Sequence, residues 1–556
     1  IPGDEVSLIC AYLVEPGQEI REISSIEPIR PLEPDAAVYG SRAMLPGKLH
    51  EEPRSGMFRG YGICTMVLHP VQYRPQDGAL SYYGSLEVVI TTTHSRDTLA
   101  RAERMVRHDE ATKSRVADLV DNPSEVYAYE SVQRVRSGHR SMDPADAYKY
   151  IIVTTEAWDE YLEPLAQFQT ERGLKAKIKL KSDIVSEYSA AADEQEAIRD
   201  YITDAYDVWD IDYVLLVGDS GDPSEPNTDG IRHRGLTSYT LGLHLNKYDI
   251  DIPADMYYAC LDGTWNSDAP GDSLWGEPGE ADLYHEVGVG RACVSDTTDV
   301  QNFVTKTIRY QSEPVESECD KALMTARWLC QDTFGSDSKE EVRLGSSANG
   351  YSTSGFPSYM IVSTLYEKYG QWSVPDDLIA AMEGGVCIVN NLSHGNVNHM
   401  AEVFIDDIPS FNNDGTSHSY NFVYSQSCYS GSFDNRQELG PTGQIIYFED
   451  DCFAEHLTTD EDGAVAAIMN SRYGLLTPRS TNGPSHHLDR QFFDAMFGEG
   501  ICALSDANDD SKMDLAWAID CSGIRWCTYD LNLFGDPALE LWTGEPGELD
   551  LTYDDL

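Results

Sequence analysis

The chain is short of positive charge. Its 556 residues carry 40 Lys and Arg against 94 Asp and Glu, a formal net charge of −54. Such a surface does not attract nucleic acid or an anionic membrane, so neither is expected as a partner. Long apolar runs are also missing, and no stretch approaches the roughly 18–20 residues of a membrane span. The 12 cysteines show no CxxC pair and no zinc-like spacing, which leaves the redox compartment open. Cys521 with Cys527, and Cys319 with Cys330, are spaced for local disulfides. There is no signal-peptide pattern, and Ile1 reads as the start of a processed chain. The Gly, Trp and Tyr content is that of a globular protein, so the acidity does not signal disorder. A chain of this length divides into about three domains.

Residues 1–93 read as β-rich, with "ICTMVLHPVQYRP" and "GALSYYGSLEVVITTT" as strands around a "QDG" turn. Residues 94–147 hold much of the Arg and read as a helical linker ending in an exposed, protease-accessible tail. From Tyr148 the pattern becomes strand–helix alternation, which predicts an α/β fold with a parallel sheet. One unit spans 148–318, with strands "YKYIIVTTE", "GLKAKIKL", "DYVLLVGD" and "HEVGVGRACVS". A second spans 319–545, with strands "KALMTARWL", "YMIVSTL", "GGVCIVNNL", "NFVYSQS" and "GAVAAIMN", and an acidic tail follows over 546–556.

Two of these strands end alike. Val386 to Leu392 decays into Ser393, His394 and Gly395, and residues 421–424 decay into Ser, Gln and Ser before Cys428. In open α/β sheets such strand ends are where chemistry is placed. Adjacent strands lie about 4.8 Å apart, within reach of side chains at one sheet edge. An imidazole beside a thiol accepts its proton or stabilises the thiolate, the nucleophilic form. Gly395 and Gly431 are expected to leave room for a substrate backbone, and amides near Cys428 to donate to an oxyanion.

The motifs "YVLLVGD", "VGVGR", "SHG", "SCYSGSF", "DCFAEHL", "NSRYG" and "LFGDPALELW", in that order, resemble the gingipain family of cysteine peptidases, relatives of caspases and clostripain. The resemblance implies a caspase-like α/β/α catalytic unit of two subdomains, preceded by a β-sandwich prodomain that inhibits the zymogen. It implies Cys428 as nucleophile, His394 as general acid/base and hydrolysis through a thioester. It places an orienting acid in "TARWLCQDTFGSD", for which Asp332 is taken, and a specificity aspartate at Asp337, with Tyr473 as an aromatic wall. A carboxylate at the base of such a pocket pairs with a substrate Arg in fork geometry. Arg134, Arg136 and Arg140 then become sites of self-cleavage within the linker.

The stretch "CLDGTWNSDAPGD" gathers Asp262, Asn266 and Asp268, hard ligands that suit a structural calcium, the alternative being a solvated acidic turn. No cofactor is required for the chemistry. "DANDDSKMD" lacks the Gly and the closing Glu of a calcium loop. "SHH" at 485–487 reads as a helix cap with surface histidines. The expected function is a secreted cysteine endopeptidase made as a zymogen, cutting protein substrates after basic residues. The alternatives are a sortase-like transpeptidase and a non-catalytic surface-binding protein on the same fold.

Overall fold

The apolar runs from Tyr150 onward line up in one sheet. The computed structural model describes residues 21–23, 36–91, 95–132, 134, 142–221, 230–241, 246–266, 273–373, 375–439, 444–520 and 523–547. Ten strands lie in the order Ile361–Tyr366, Lys321–Ala326, Ile388–Leu392, Asn421–Ser425, Ala464–Asn470, Leu531–Phe534, Gly288–Ala292, Tyr213–Val217, Tyr150–Thr154 and Ala176–Leu180. Alternate residues of one strand feed different cores. Ile151 and Val153 join one apolar cluster while Tyr150 and Ile152 join another. Both faces are therefore covered, which is why these strands read as unbroken apolar runs rather than alternating ones.

Helix ends follow their caps. Asp193 accepts from the Glu196 amide to start Glu194–Trp209, and Asp210, at φ +61°, ends it. Thr297–Ser312 opens with a reciprocal capping box between Asp296 and Asp299. The units expected at 148–318 and 319–545 share the sheet rather than standing apart. Leu531–Phe534, from the end of the second unit, sits between them, antiparallel to Ala464–Asn470 and parallel to Gly288–Ala292.

Among the described residues the N-terminal region forms two ribbons, Arg54–Phe58 with Tyr61–Thr65 and Val71–Arg74 with Ala79–Tyr82, with further bridges of Leu45 to Tyr73 and His50 to Leu68. Residues 85–91 are irregular, and Val88, Val89 and Ile90 are exposed, because nothing covers them. In the linker, helices Arg96–Met105 and Glu110–Leu119 are held by Arg107 on Asp212 and by Arg115 on Asp506. Arg134, expected on an exposed tail, is instead tied down. It pairs with Asp210 and donates to the Tyr206 carbonyl at 2.9 Å. Arg136 and Arg140 lie outside the described residues.

Two local readings change. Cys319 and Cys330 form no disulfide with each other, and Cys521 lies outside the described residues. His486 and His487 are buried in the helix Pro484–Phe497, and burial pushes the His486 imidazole down to about 3. Residues 504–513 are helical, with nine of them buried.

Beside that helix, Glu499, Asp510 and Asp514 bring carboxylate oxygens within 4.8 Å of one another. Burial and mutual repulsion raise all three to about 7. A carboxyl raised on folding binds its proton more tightly in the native state, so its stabilising effect is full below the unfolded value of about 4 and is lost as pH rises through 7. The melting temperature should therefore fall between pH 5 and pH 8, and Asp514→Asn should flatten that fall. A wild-type profile rising over this range would contradict the assignment.

Candidate active site

The site begins with strand register. Ile388–Leu392 and Asn421–Ser425 pair in parallel, Asn390 opposite Tyr424 and Asn391 opposite Ser425. His394 and Cys428 each lie three residues beyond the Asn391–Ser425 couple, so the pairing carries both to the same sheet edge. The turns that follow are locked together. Ser427 Oγ donates to the Ser393 carbonyl at 3.0 Å. Gly395 packs against this turn instead of opening space for a substrate, since a Cβ there would lie 2.6 Å from Ser427 Cβ. Gly431 is equally enclosed, by Met469 and Phe534.

A polar network under the two turns sets their positions. The Asn391 amide nitrogen lies 2.9–3.1 Å from the hydroxyls of Ser393, Ser425 and Ser427, and its oxygen accepts from Thr325 Oγ1 at 2.9 Å. Next to it, Asp489 accepts from Lys339 Nζ at 2.9 Å, Asn390 Nδ2 at 2.9 Å and Gln426 Nε2 at 2.7 Å. Lys339 and Asp489 are both fully buried. Beyond Cys428 the chain turns sharply: Tyr429 holds φ +58°, and its amide donates to the Arg472 carbonyl at 2.8 Å. Arg472, fully buried, is clamped by Asp434 at 2.6 Å and Asp249 at 3.1 Å. Sequence reading missed this framework. The signal was present in "VNNLS", where two asparagines interrupt an otherwise apolar strand.

Cys428 is 1% exposed, and its thiol points to the Gly474 carbonyl at 3.7 Å. Both nitrogens of His394 are shielded from solvent without a hydrogen bond of ordinary geometry. Burial lowers its affinity for a proton, opposed first by the Leu329 carbonyl and then by the Glu367 and Glu402 carboxylates. A neutral imidazole at such a place is equipped to take a thiol proton. Asp332, expected to orient it, is engaged elsewhere: it sits in a turn at φ +55° and pairs with Arg479 at 3.1 Å. Glu367 instead accepts from the Trp328 amide at 2.7 Å, and the Trp328 ring lies 6.1 Å from that of His394.

Asp332 and Asp337 line one open cavity of about 310 Å³ with Leu329, Phe334, Arg479 and His486. Asp337 is exposed at its side chain and pairs with Lys368. Tyr473 does not line that cavity. It is buried, edge-on to Tyr429 at 4.8 Å and under Lys247 Nζ at 4.9 Å.

Asp262 joins Cys260 and Glu286, with ligand atoms all within 4.8 Å, and couples to Asp282. Asp268 lies outside the described residues. Both Asp262 oxygens and Glu286 Oε1 are buried without a hydrogen-bond partner. Burial first, then mutual repulsion, push Asp262 and Glu286 well above the usual carboxylate range. Orphaned, mutually repelling oxygens of this kind fit a hard cation. Asp219, Asp451 and Glu455 form a second such group, and Glu455 Oε1 is likewise orphaned.

A family model described as Peptidase family C25 matches residues 143–542. The chain is similar to Gingipain R2 of Porphyromonas gingivalis, 21% identical over 439 residues, covering 73% of this chain and 49% of that protein. In a second strain's Gingipain R2 the likeness is 20% over 549 residues, covering 92% of this chain and 61% of that one. The chain thus spans half to three-fifths of the length of these two relatives. Among solved structures, that of the Arg-specific cysteine proteinase gingipain R shares the fold, with TM-score 0.51 and 18% identity over 72% of this chain and 80% of that one. The complex of the pro- and mature domains of RgpB matches with TM-score 0.50 and 19% identity, covering 72% and 81%.

The Lys339–Asp489 pair yields a direct test of the framework. Asp489→Ala leaves an ammonium buried without its counter-charge, which should cost about 3–5 kcal/mol in denaturant unfolding. A loss below about 1 kcal/mol, the range of an exposed pair, would mean that water reaches this site.

Proposed function

We infer the function from one premise, that the chain belongs to peptidase family C25, and propose a cysteine endopeptidase in which Cys428 is the nucleophile and His394 its general acid/base. The register that carries His394 and Cys428 to one sheet edge supports the proposal. His394 takes the thiol proton as sulfur attacks the peptide carbonyl, then returns it to the leaving amine, giving a thioester that water hydrolyses. The Leu329 carbonyl and the Glu367 carboxylate favour the imidazolium formed on the way, a part the sequence assigned to Asp332.

The acidic cavity beside Leu329 supports a preference for basic residues before the cut. A substrate guanidinium would exchange with Lys368 for Asp337, or with Arg479 for Asp332, in the fork geometry that carboxylates offer. Action outside the cell, inhibition by the N-terminal region and self-cleavage near Arg136 or Arg140 complete the reading; they rest on the family resemblance. Residues Asp262, Asp282 and Glu286 fit a structural Ca²⁺, whose charge would hold them ionised together.

Three outcomes test these points. Cys428→Ala and His394→Ala should each lower peptide hydrolysis by about 10⁴-fold with folding retained, and activity surviving either change would refute the dyad. In a panel of fluorogenic peptides ending in Arg, Lys, Asp or Asn, the Arg peptide should lead, and Asp337→Ala should weaken it by roughly 10-fold or more. Added Ca²⁺ should raise the melting temperature of the wild type by several degrees but not that of Asp262→Asn, whereas an equal rise in both would place the cation elsewhere.

A further inference from the structure

We propose that Arg327 is a positioning residue for His394, a cationic clamp that draws the carboxylates of Glu367 and Glu402 together beside the imidazole. The proposal rests on the peptidase reading of that histidine. Arg327 follows directly on the strand Lys321–Ala326, and its amide donates to the Leu392 carbonyl at 3.1 Å, two residues before His394. Its Nε lies 3.4 Å from Glu367 Oε2, in the short turn after the strand Ile361–Tyr366, and its Nη1 pairs with Glu402. One guanidinium thus joins the ends of three neighbouring strands at the edge that carries the histidine.

Each arm of the clamp is set by its own backbone. The same Glu367 oxygen accepts from the Trp328 amide at 2.7 Å, and the Trp328 ring lies 6.1 Å from that of His394. Ala401 and Glu402 hold φ +56° and +65°, and the Ala401 amide donates to the His394 carbonyl at 2.9 Å. Two successive non-glycine residues in the left-handed region make a costly turn, and this one keeps Glu402 within reach of Arg327. The guanidinium lies over the Trp372 ring at 5.1 Å, while separate nitrogens serve the two acids. An ammonium has no such fork.

The charges around the imidazole then balance. Burial first, and the Arg327 charge after it, weaken its hold on a proton, while the Leu329 carbonyl and the two carboxylates strengthen it. Of the other titratable groups nearby, His399 in the same loop packs on Phe404 at 4.9 Å, and Cys428 follows the neighbouring strand. Without Arg327, two unopposed carboxylates would favour an imidazolium at rest, which cannot accept the thiol proton. Without the carboxylates, burial would leave the imidazolium formed during the reaction unsupported. Arg327 holds the site between these limits.

The test uses the full-length chain with isotope-labelled histidine, the His394 signal being identified by its loss in His394→Gln. Two quantities are read: the midpoint of that signal in a pH titration, and kcat with KM for a fluorogenic Arg peptide. In Arg327→Gln the midpoint should rise by about one pH unit. At neutral pH kcat should fall about 10- to 100-fold with KM unchanged. Arg327→Lys, which keeps the charge without the fork, should hold the midpoint at the wild-type value and recover part of kcat. A midpoint unmoved in Arg327→Gln, or one that moves while kcat stays at the wild-type value, overturns the clamp; the peptidase reading then stands wherever the wild type hydrolyses the peptide. A midpoint that rises as expected, with no hydrolysis by any variant or by the wild type, supports the clamp and overturns the peptidase reading. Should Arg327→Gln fail to fold, Glu402→Gln is read instead: losing one carboxylate should move the midpoint down, and an unmoved midpoint overturns the clamp.

Discussion

The parallel pairing of Ile388–Leu392 with Asn421–Ser425 is the constraint on which the rest depends. A slip of one residue would turn Asn391 and Ser425 away from each other and separate the loops that carry His394 and Cys428. Apolar packing alone holds register loosely between two fully buried strands, because both faces accept aliphatic side chains. Asn391 removes that freedom. Its amide nitrogen lies 2.9–3.1 Å from the hydroxyls of Ser393, Ser425 and Ser427 in the observed alignment, and a slip would break up this buried polar group. The polar cluster thus fixes the alignment of the two loops that carry His394 and Cys428 at one sheet edge.

Ion pairs extend the same logic outward. Arg472 joins the turn after Cys428 to Asp249 in a distant hairpin and to Asp434 in its own loop. Lys339 and Asp489 bind two helices to the asparagine beneath the His394 strand. Their worth lies less in net stability than in fixing which surfaces meet, since a buried charge tolerates only the partner it was built for. Such rigidity suits a member of peptidase family C25, because chemistry between neighbouring groups depends on geometry held in advance.

Sequence showed the strands, their order of appearance and the placing of His394 and Cys428 at two strand ends, since an apolar run that decays into small residues marks itself. It did not show what arrives from far along the chain. Asp332 and Asp337 sit in a loop whose composition is the same whether an aspartate is paired or not, and Arg479 and Lys368 reach them from other segments. The hairpin Arg234–Leu241 with Asn246–Ala254 was not among the expected strands, yet it supplies the counter-charge for Arg472. The strand Leu531–Phe534 is too short to display a period, and it takes its place only because the two halves of the sheet leave a gap of one strand.

The scarcity of basic residues has a structural consequence. Arg291, Arg472 and Arg490 are among the largest fully buried side chains, and Lys306, Lys339 and Lys512 are buried as well. Cations already few in number are thus withdrawn to pair interior carboxylates and cap interior carbonyls, as Lys306 does for Leu457 and Asp462. Buried carboxylates are about as many as buried cations, so the surface keeps the strongly negative balance of the composition. Such a field attracts cationic solutes and repels anionic ones over a distance set by the salt. That long-range attraction fades with ionic strength, while pairing between buried charges, as between Lys339 and Asp489, fades far less. Behaviour at low salt and behaviour at high salt therefore report different parts of the molecule, the first its whole surface and the second its interior pairs.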